Sequence, residues 1–370
     1  MLQLRGLTRV PDSRRDRCAK LLHLLDQQKA AAAVITHLPN VRYLSGFTGS
    51  NAILLISGRG ATLYTDPRYD IQARQQAHCA VRIVRGPLWP EVAAEIKKRN
   101  LTSIALESDK VSHADWLEVA KIIGKGVKLR PVKGVVESLR AIKSAAEIDT
   151  IRRSVQVNSK ALAQTLKKVK PGMTELEVAA ELDYRMRRLG AEGPAFETIV
   201  ACGARSALPH AQPTTEQLKN DQVLLIDMGA SLEGYASDMT RVVHLGEPGA
   251  RIRGLYEAVL EAQLQAIAAV KPGASCAEVD AAARDALKKR KLDRYFTHST
   301  GHGLGLEIHE NPRIGAKVET VLQPGMVITI EPGVYVQDFG GVRIEDTVLV
   351  TETGVDVLTP TTKEFVVLAS

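Results

Sequence analysis

The chain has 370 residues, 45% of them apolar and 25% charged, the balance of a soluble globular protein with material for two or three domains. Aromatic residues make up only 4%, too few for the stacking platforms that bind single-stranded nucleic acid. The formal charge of +7 comes from basic residues scattered along the chain, which describes a mildly basic solvated surface and excludes a nucleic-acid footprint.

From the N-terminus, "MLQLRGLTRVPDSRRDR" lacks the apolar centre of a signal peptide, and no run approaches the ~18 apolar residues of a membrane helix. Cys18, Cys79, Cys202 and Cys276 lie far apart with no C-x-x-C pair, as in a reducing compartment. The expectation is a cytoplasmic protein without a membrane or nucleic-acid partner. "SRRDRCAKLLHLLDQQKA" predicts a helix with a leucine stripe, started by Ser13 three residues before Asp16. "AAVIT", "AILLIS", "ATLYTD", "AVRIVRG" and "SIALES" predict strands, so the first part reads as a small α/β domain. The pattern loosens over residues 131–143, and Ser144 with Glu147 forms a capping box that opens a new helix. The predicted division is an N-terminal domain over residues 1–135 and a larger one over 136–370.

The larger part echoes itself. "VKPGMTELEVA" from Val169 returns as "VKPGASCAEVD" from Val270, each using Pro-Gly to turn into a helix. "LKNDQVLLIDMG" from Leu218 returns as "LQPGMVITIEPG" from Leu322. Two copies at this length predict two halves of one domain, not a solenoid. In each half an apolar strand runs into an acid, Asp227 or Glu331, and a second acid follows, Asp238 or Glu345. Turn residues between them (Gly234; Gly340-Gly341) predict a β-hairpin that sets the two acids opposite one another.

Any one such acid is ordinarily an exposed hairpin residue or half of a salt bridge. Four in duplicated positions after apolar strands form a different pattern, because clustered ionised carboxylates repel and are costly to desolvate. Two divalent cations balance them in formal charge. "HSTGHGLGLEIHE", residues 298–310, adds His298, His302 and His309 on a backbone made pliable by Gly301, Gly303 and Gly305. The expectation is that these glycines let the backbone press close to a metal pair, with His302 a ligand. Oxygen-rich ligands with one imidazole suit Mn²⁺, Co²⁺ or Zn²⁺.

From about residue 145 onward the chain resembles the pita-bread metallopeptidases, which include aminopeptidase P, prolidase and methionine aminopeptidase. The order and spacing of Asp227, Asp238, His302, Glu331 and Glu345 carry the resemblance, and "VRIEDT" resembles the proline-handling branch. It implies two divalent ions per subunit, Mn²⁺ first among them, with Asp238 and Glu345 bridging, Asp227 completing one ion, and His302 with Glu331 the other. His210, in "SALPHAQPT", and His309, in "EIHENP", match histidines that contact substrate and stabilise the tetrahedral intermediate. His298, Tyr335 and Arg343 match substrate-side positions, and a strand would set Arg343 on the same face as Glu345. "YLSGFTGSNAILLIS" and "LYTDPRYDIQA" resemble the accessory domain of bacterial aminopeptidase P, with Pro67 a departure from the usual pattern.

What this implies is an α/β (α+β) chain, a small N-terminal α/β domain before a duplicated pita-bread catalytic domain. The implied activity is Xaa-Pro aminopeptidase: hydrolysis of an N-terminal Xaa–Pro bond by a hydroxide shared between the ions. Glu331 would act as general base and His309 or His210 as oxyanion donor. The alternative within the class is prolidase, an Xaa-Pro dipeptidase, with Arg343 taking the dipeptide's carboxylate. A scaffold relative without peptidase activity is the reading from outside it. The implied partners are peptides with proline at the second position and a second subunit, as a homodimer or a tetramer, with the N-terminal domain near the other subunit's active site.

Overall fold

The structure is a computed structural model that describes residues 14–368. It divides into two compact units, one up to Arg140 and one from Ala141. The predicted Ser13 cap lies outside the described residues. The helix it was to open runs Arg14–Asp26 and buries Leu21 and Leu25. No helix among the described residues is long and apolar enough to cross a membrane.

The first unit is built on a six-stranded mixed sheet. Its order is Ala80–Ile83, Gly60–Thr65, Ile53–Ser57, Ala32–Ile35, Ser103–Glu107, Lys128–Val132. The five predicted strands are all present. The sixth, "KLRPV", is an addition to the sequence reading. Pro131 within it has no N–H to give to a ladder, which an edge strand tolerates. Apolar strand residues such as Val34, Leu55 and Leu106 are buried with Val92 and Ile96 of the helix Leu88–Lys98. Glu107 leaves its strand to accept from Thr36 N–H (2.8 Å), His37 N–H (3.1 Å) and Asn40 Nδ2 (2.6 Å), closing the start of the helix Leu38–Ser45. Pro67 is accommodated at the first position of the turn Pro67–Tyr69, where no N–H is needed, and Asp66 caps that turn by accepting from Arg68 N–H.

In the second unit the predicted capping box holds. Ser144 Oγ accepts from Glu147 N–H, and Glu147 Oε2 accepts from Ser144 N–H at 2.9 Å, opening the helix Ala145–Leu166. The echo in sequence is an echo in structure. Thr174 and Ser275 cap the helices Glu175–Arg188 and Cys276–Lys289 with matching boxes. Gly172 and Gly273, at φ 88° and 87°, adopt the left-handed turn each Pro-Gly requires. Gly172 N–H donates to Leu218 O (2.8 Å) and Gly273 N–H to Leu322 O (3.0 Å), so each turn is tied to the segment that leads into its own half's strand.

Two sheets result. One orders Val366–Leu368, Met239–Leu245, Gln222–Met228, Ile199–Cys202; the other orders Glu310–Ile314, Gly301–Gly303, Val327–Ile330, Asp346–Val350, Val355–Val357. Helices Ala250–Ala269 and Cys276–Lys289 share one core with strand residues of both sheets, including Leu225, Val242, Ile328 and Val348. Each inter-acid interval folds as a hairpin. The first, Ala230–Leu232 with Tyr235–Ala236, turns at Glu233-Gly234, both at positive φ. The second turns at residues 337–339, and Gly340-Gly341 lie in its second strand, paired with Val336 and Tyr335. Gly341 is there for space: a Cβ would overlap the Ser206 carbonyl.

Candidate metal centre

The two sheets deliver the acids from their strand ends. Asp227, near the end of Gln222–Met228, pairs in register with Thr240, two residues after Asp238. Ile330 pairs with Asp346, which leaves Glu331 and Glu345 as the next residues on adjacent strands. Asp238, Glu345 and His302 form one cluster, each offering a ligand atom within 4.8 Å of the others. Glu331 joins it through His302, whose Nε2 lies 3.5 Å from Glu331 Oε1 and 3.5 Å from Asp238 Oδ2. Asp227 joins through Arg343, whose Nη2 donates to Asp227 Oδ2 at 2.7 Å.

The glycines do a different job from the one expected. A Cβ at Gly301 would overlap the backbone carbonyl of Thr329, and one at Gly303 the carbonyl of Asn311. One at Gly305 would stand 2.7 Å from the Glu310 carboxylate. The backbone therefore presses against its neighbouring strands, and that packing carries His302 to the acids.

Whether this site fits cations is answered by its unsatisfied atoms. Asp227 Oδ1 and Asp238 Oδ1 are buried with no hydrogen-bond partner among the described residues, a costly arrangement for lone carboxylates. Burial, then the charges of Glu345, Asp227 and Glu331, drives the Asp238 carboxyl well above its ordinary range. Burial, with Glu331 and Asp227, does the same to Glu345. Glu331 is pushed up to about 7, mainly by burial, against the pull of Arg343. His302 is pushed down to about 4 by burial, so its ring is neutral. Its Nδ1 is 3.0 Å from Gly303 O, the position of a donor, which leaves the Nε2 lone pair facing two carboxylate oxygens. Lone pair against lone pair at 3.5 Å is not a hydrogen bond. A cation among them satisfies all the atoms, and the donor set of oxygens with one imidazole fits hard or borderline divalent ions.

Around the cluster runs a chain of hydrogen bonds. His298 Nδ1 faces Ser299 O (2.8 Å), and its Nε2 is 2.8 Å from Tyr335 Oη. Tyr335 Oη accepts from Arg343 Nη1 at 2.7 Å. Arg343 also donates from Nε to Thr240 Oγ1 (3.0 Å) and from Nη1 to Pro209 O (3.1 Å). Thr240 Oγ1 in turn donates to Glu345 Oε2 at 2.7 Å, so Arg343 and Glu345 do converge on one side of their strand. Burial pushes His298 down to about 4 and the Tyr335 phenol up to about 12. The His309 ring lies 4.4 Å from that of His302. His309 is lowered by burial and then by His210, which also bears on His298.

Thr240 and Thr329 were missed by the sequence reading. Thr329 Oγ1 donates to Glu331 Oε1 (3.3 Å) and accepts from His302 N–H (3.1 Å). Both signals were present, since each threonine sits two residues from an acid in a strand, on the same face.

Comparison with known proteins agrees with this architecture. Residues 149–352 match the metallopeptidase family M24, and residues 17–142 match the creatinase/prolidase N-terminal domain. An Xaa-Pro dipeptidase of Pyrococcus horikoshii is 37% identical over 96% of this chain and 100% of its own. The solved structure of an Xaa-Pro dipeptidase from Bacillus anthracis superposes with a TM-score of 0.94 at 36% identity, over 96% of this chain and 100% of that one. An X-Pro aminopeptidase from Thermotoga maritima superposes at 0.88 with 36% identity, over 92% and 98%. The chain belongs to metallopeptidase family M24, in its pita-bread, proline-handling branch.

Proposed function

We propose that this M24 metallopeptidase is an Xaa-Pro dipeptidase, hydrolysing the bond between the first residue and proline in a two-residue peptide. The preference for a dipeptidase over the aminopeptidase expected from the sequence rests on the relatives, two of which are named as dipeptidases at nearly full mutual coverage. X-Pro aminopeptidase is the second reading, favoured by the Thermotoga relative. The observation that carries the chemistry is the pair of unpartnered buried carboxylate oxygens, on Asp227 and Asp238, in a site whose neutral imidazole faces Asp238 and Glu331.

In this proposal Asp227, Asp238, His302, Glu331 and Glu345 hold two divalent ions, with Mn²⁺ the first choice. Bound there, such ions would supply Lewis acidity toward the scissile carbonyl and a water acidic enough to react near neutral pH. Glu331 takes the proton of the attacking water and returns it to the departing proline nitrogen, a role suited to a carboxyl raised toward neutrality. His309 and His210 each have a ring N–H to donate to the carbonyl oxygen as charge develops on it. The Xaa–Pro bond has no N–H, so recognition must come from the ring and the groups beyond it.

Arg343 has five N–H groups and commits four of them to Asp227, Tyr335, Pro209 and Thr240. Its main work is to hold Asp227 and Tyr335. One N–H remains to meet the carboxylate of a dipeptide. Comparing kcat/KM for Arg-Pro and Arg-Pro-Pro tests the reading. A dipeptidase cleaves only the first; cleavage of the tripeptide at least as efficiently, with release of arginine, makes the enzyme an aminopeptidase. We further infer a homodimer, for which sedimentation of an active monomer at assay concentration is the contrary result.

A further inference from the structure

Among the buried acids outside the metal cluster, Glu175 and Asp280, one in each half, have no part in the chemistry above. Glu175, fully buried at the start of its helix, accepts from Cys202 N–H (2.9 Å), Thr214 N–H (2.9 Å), Thr214 Oγ1 (2.8 Å) and Arg205 Nε (3.1 Å). Arg205 Nη2 then donates to Gln212 O at 2.8 Å. One carboxylate thus ties both ends of the segment 202–214, and His210 lies between them.

Asp280, also fully buried, accepts from Thr300 Oγ1 (2.7 Å), Thr300 N–H (3.2 Å) and Arg284 Nε (2.7 Å). Arg284 donates to Phe296 O (3.1 Å) and His298 O (2.6 Å), with its guanidinium stacked 4.4 Å over the Phe296 ring. This pair holds the segment 296–300, and His298 is its centre. Thr300 O also accepts from Glu331 N–H at 2.7 Å.

The two devices are alike but not copies. In the duplicated sequence Glu175 aligns with Cys276, and Asp280 aligns with Ala179. Each half therefore carries on its second helix, at a different helical position, a buried acid paired with an arginine (Arg284 on the same helix, Arg205 on the held segment itself), and each pair spends its hydrogen bonds on the loop bearing that half's histidine. In each pair the acid is fully buried and the arginine part-exposed (31% for Arg205, 32% for Arg284), and an ion pair of this kind is a poor source of stability. Fixing a loop geometry is what the fork of an arginine does and an apolar side chain cannot.

We propose that Glu175–Arg205 and Asp280–Arg284 are positioning pairs, setting His210 and His298 respectively against the substrate. The inference rests on the substrate-side roles given to those histidines above. Its consequence is a distinct signature for each pair: Arg284 acts through a binding residue, and Arg205 through a group that stabilises developing charge.

Two double-mutant cycles in the metal-loaded full chain test it, with Arg-Pro as substrate: Arg284→Met with His298→Ala, and Arg205→Met with His210→Ala. Arg284→Met should raise KM about 10-fold with kcat little changed, and Arg205→Met should lower kcat about 10-fold, the scale for residues that orient a functional group. In each double variant the arginine change should add nothing to the loss from the histidine change alone. Losses that multiply, or an unchanged KM and kcat per active site with only fewer folded molecules, overturn the proposal. Arg284→Lys and Arg205→Lys, which keep the charge without the fork, serve if the methionine variants do not fold; wild-type kinetics in both would be equally contrary. If His298→Ala and His210→Ala are themselves without effect, the histidine roles are wrong and the positioning proposal falls with them. Multiplying losses instead overturn the positioning proposal alone.

Discussion

Replacing Gly301 with alanine adds one methyl group to the strand that carries His302. The backbone at Gly301 is not in the left-handed region, so the cost is steric and owes nothing to torsional strain. The new Cβ would overlap Thr329 C=O, with Thr329 Oγ1 3.0 Å away. A flexible side chain could swing aside; a carbonyl in the middle of a paired strand cannot. Overpacking a filled interior costs about 1–3 kcal/mol, and a backbone obstacle puts this change toward the upper end. For a domain of this size each kcal/mol corresponds to about 2–4 °C, so Tm should fall by roughly 2–12 °C.

The displacement also has a direction. Thr329 holds His302 N–H and Glu331 Oε1 through its hydroxyl, so pushing the two strands apart separates two residues of the cluster. Metal content after dialysis should therefore fall together with Tm. Gly254→Ala is the control: nothing lies within 4 Å of its Cβ, and within the helix Ala250–Ala269 alanine should stabilise by about 0.5–1 kcal/mol. Scanning fluorimetry and elemental analysis read both quantities. Wild-type Tm and wild-type metal content in Gly301→Ala would refute the account of why glycine occupies this strand.

Glu331→Gln keeps size and an oxygen but removes the proton acceptor, so kcat for Arg-Pro should fall at least ~10²-fold with KM less affected; near-wild-type turnover with metal bound would assign the base elsewhere. In EDTA the same variant reports the Glu331 titration. The folded carboxyl sits at about 7, above its ordinary 4.5, so wild type loses stability relative to Glu331→Gln as pH rises from about 4.5 through 7. The gap in Tm should widen over that window and then level; a constant gap contradicts the burial argument. Arg343→Lys keeps the charge but cannot span Asp227, Tyr335, Pro209 and Thr240 at once, and should lower both Tm and kcat/KM. Unchanged thermal unfolding and kinetics would show that its fork is dispensable.

Much of this molecule is legible in the sequence because local rules and the fold agree. Ser144 and Glu147 announce a helix start, and the repeated Pro-Gly turns announce the duplication, since each fixes backbone geometry within a few residues. The acids at the ends of apolar runs mark the site for a similar reason: charge is placed where burial makes it expensive. Other features depend on distant partners. "KLRPV" looks too polar and too broken for a strand until it is seen at a sheet edge. Gly340-Gly341 suggest a turn, yet Gly341 yields room to Ser206, far away in sequence. Gly301 and Gly303 suggest a ligand pressed on the backbone, and the pressing group is another strand. Arg343 reads as a free cation beside an acid, while its partners come from Asp227, Pro209 and Thr240, each more than 100 residues earlier.

The central claim is that the buried acids and His302 exist to hold divalent cations that the hydrolysis of Xaa–Pro bonds requires. It is tested most directly by titrating EDTA-stripped enzyme with Mn²⁺ while following Arg-Pro hydrolysis, with Arg-Ala as the control substrate and Asp238→Ala and Glu345→Ala alongside. The account predicts no cleavage without metal, a rise that saturates at about two ions per subunit, selectivity for Arg-Pro, and no recovery in either variant. Full activity in the metal-free protein, or full recovery in a variant lacking one of these carboxylates, would contradict it.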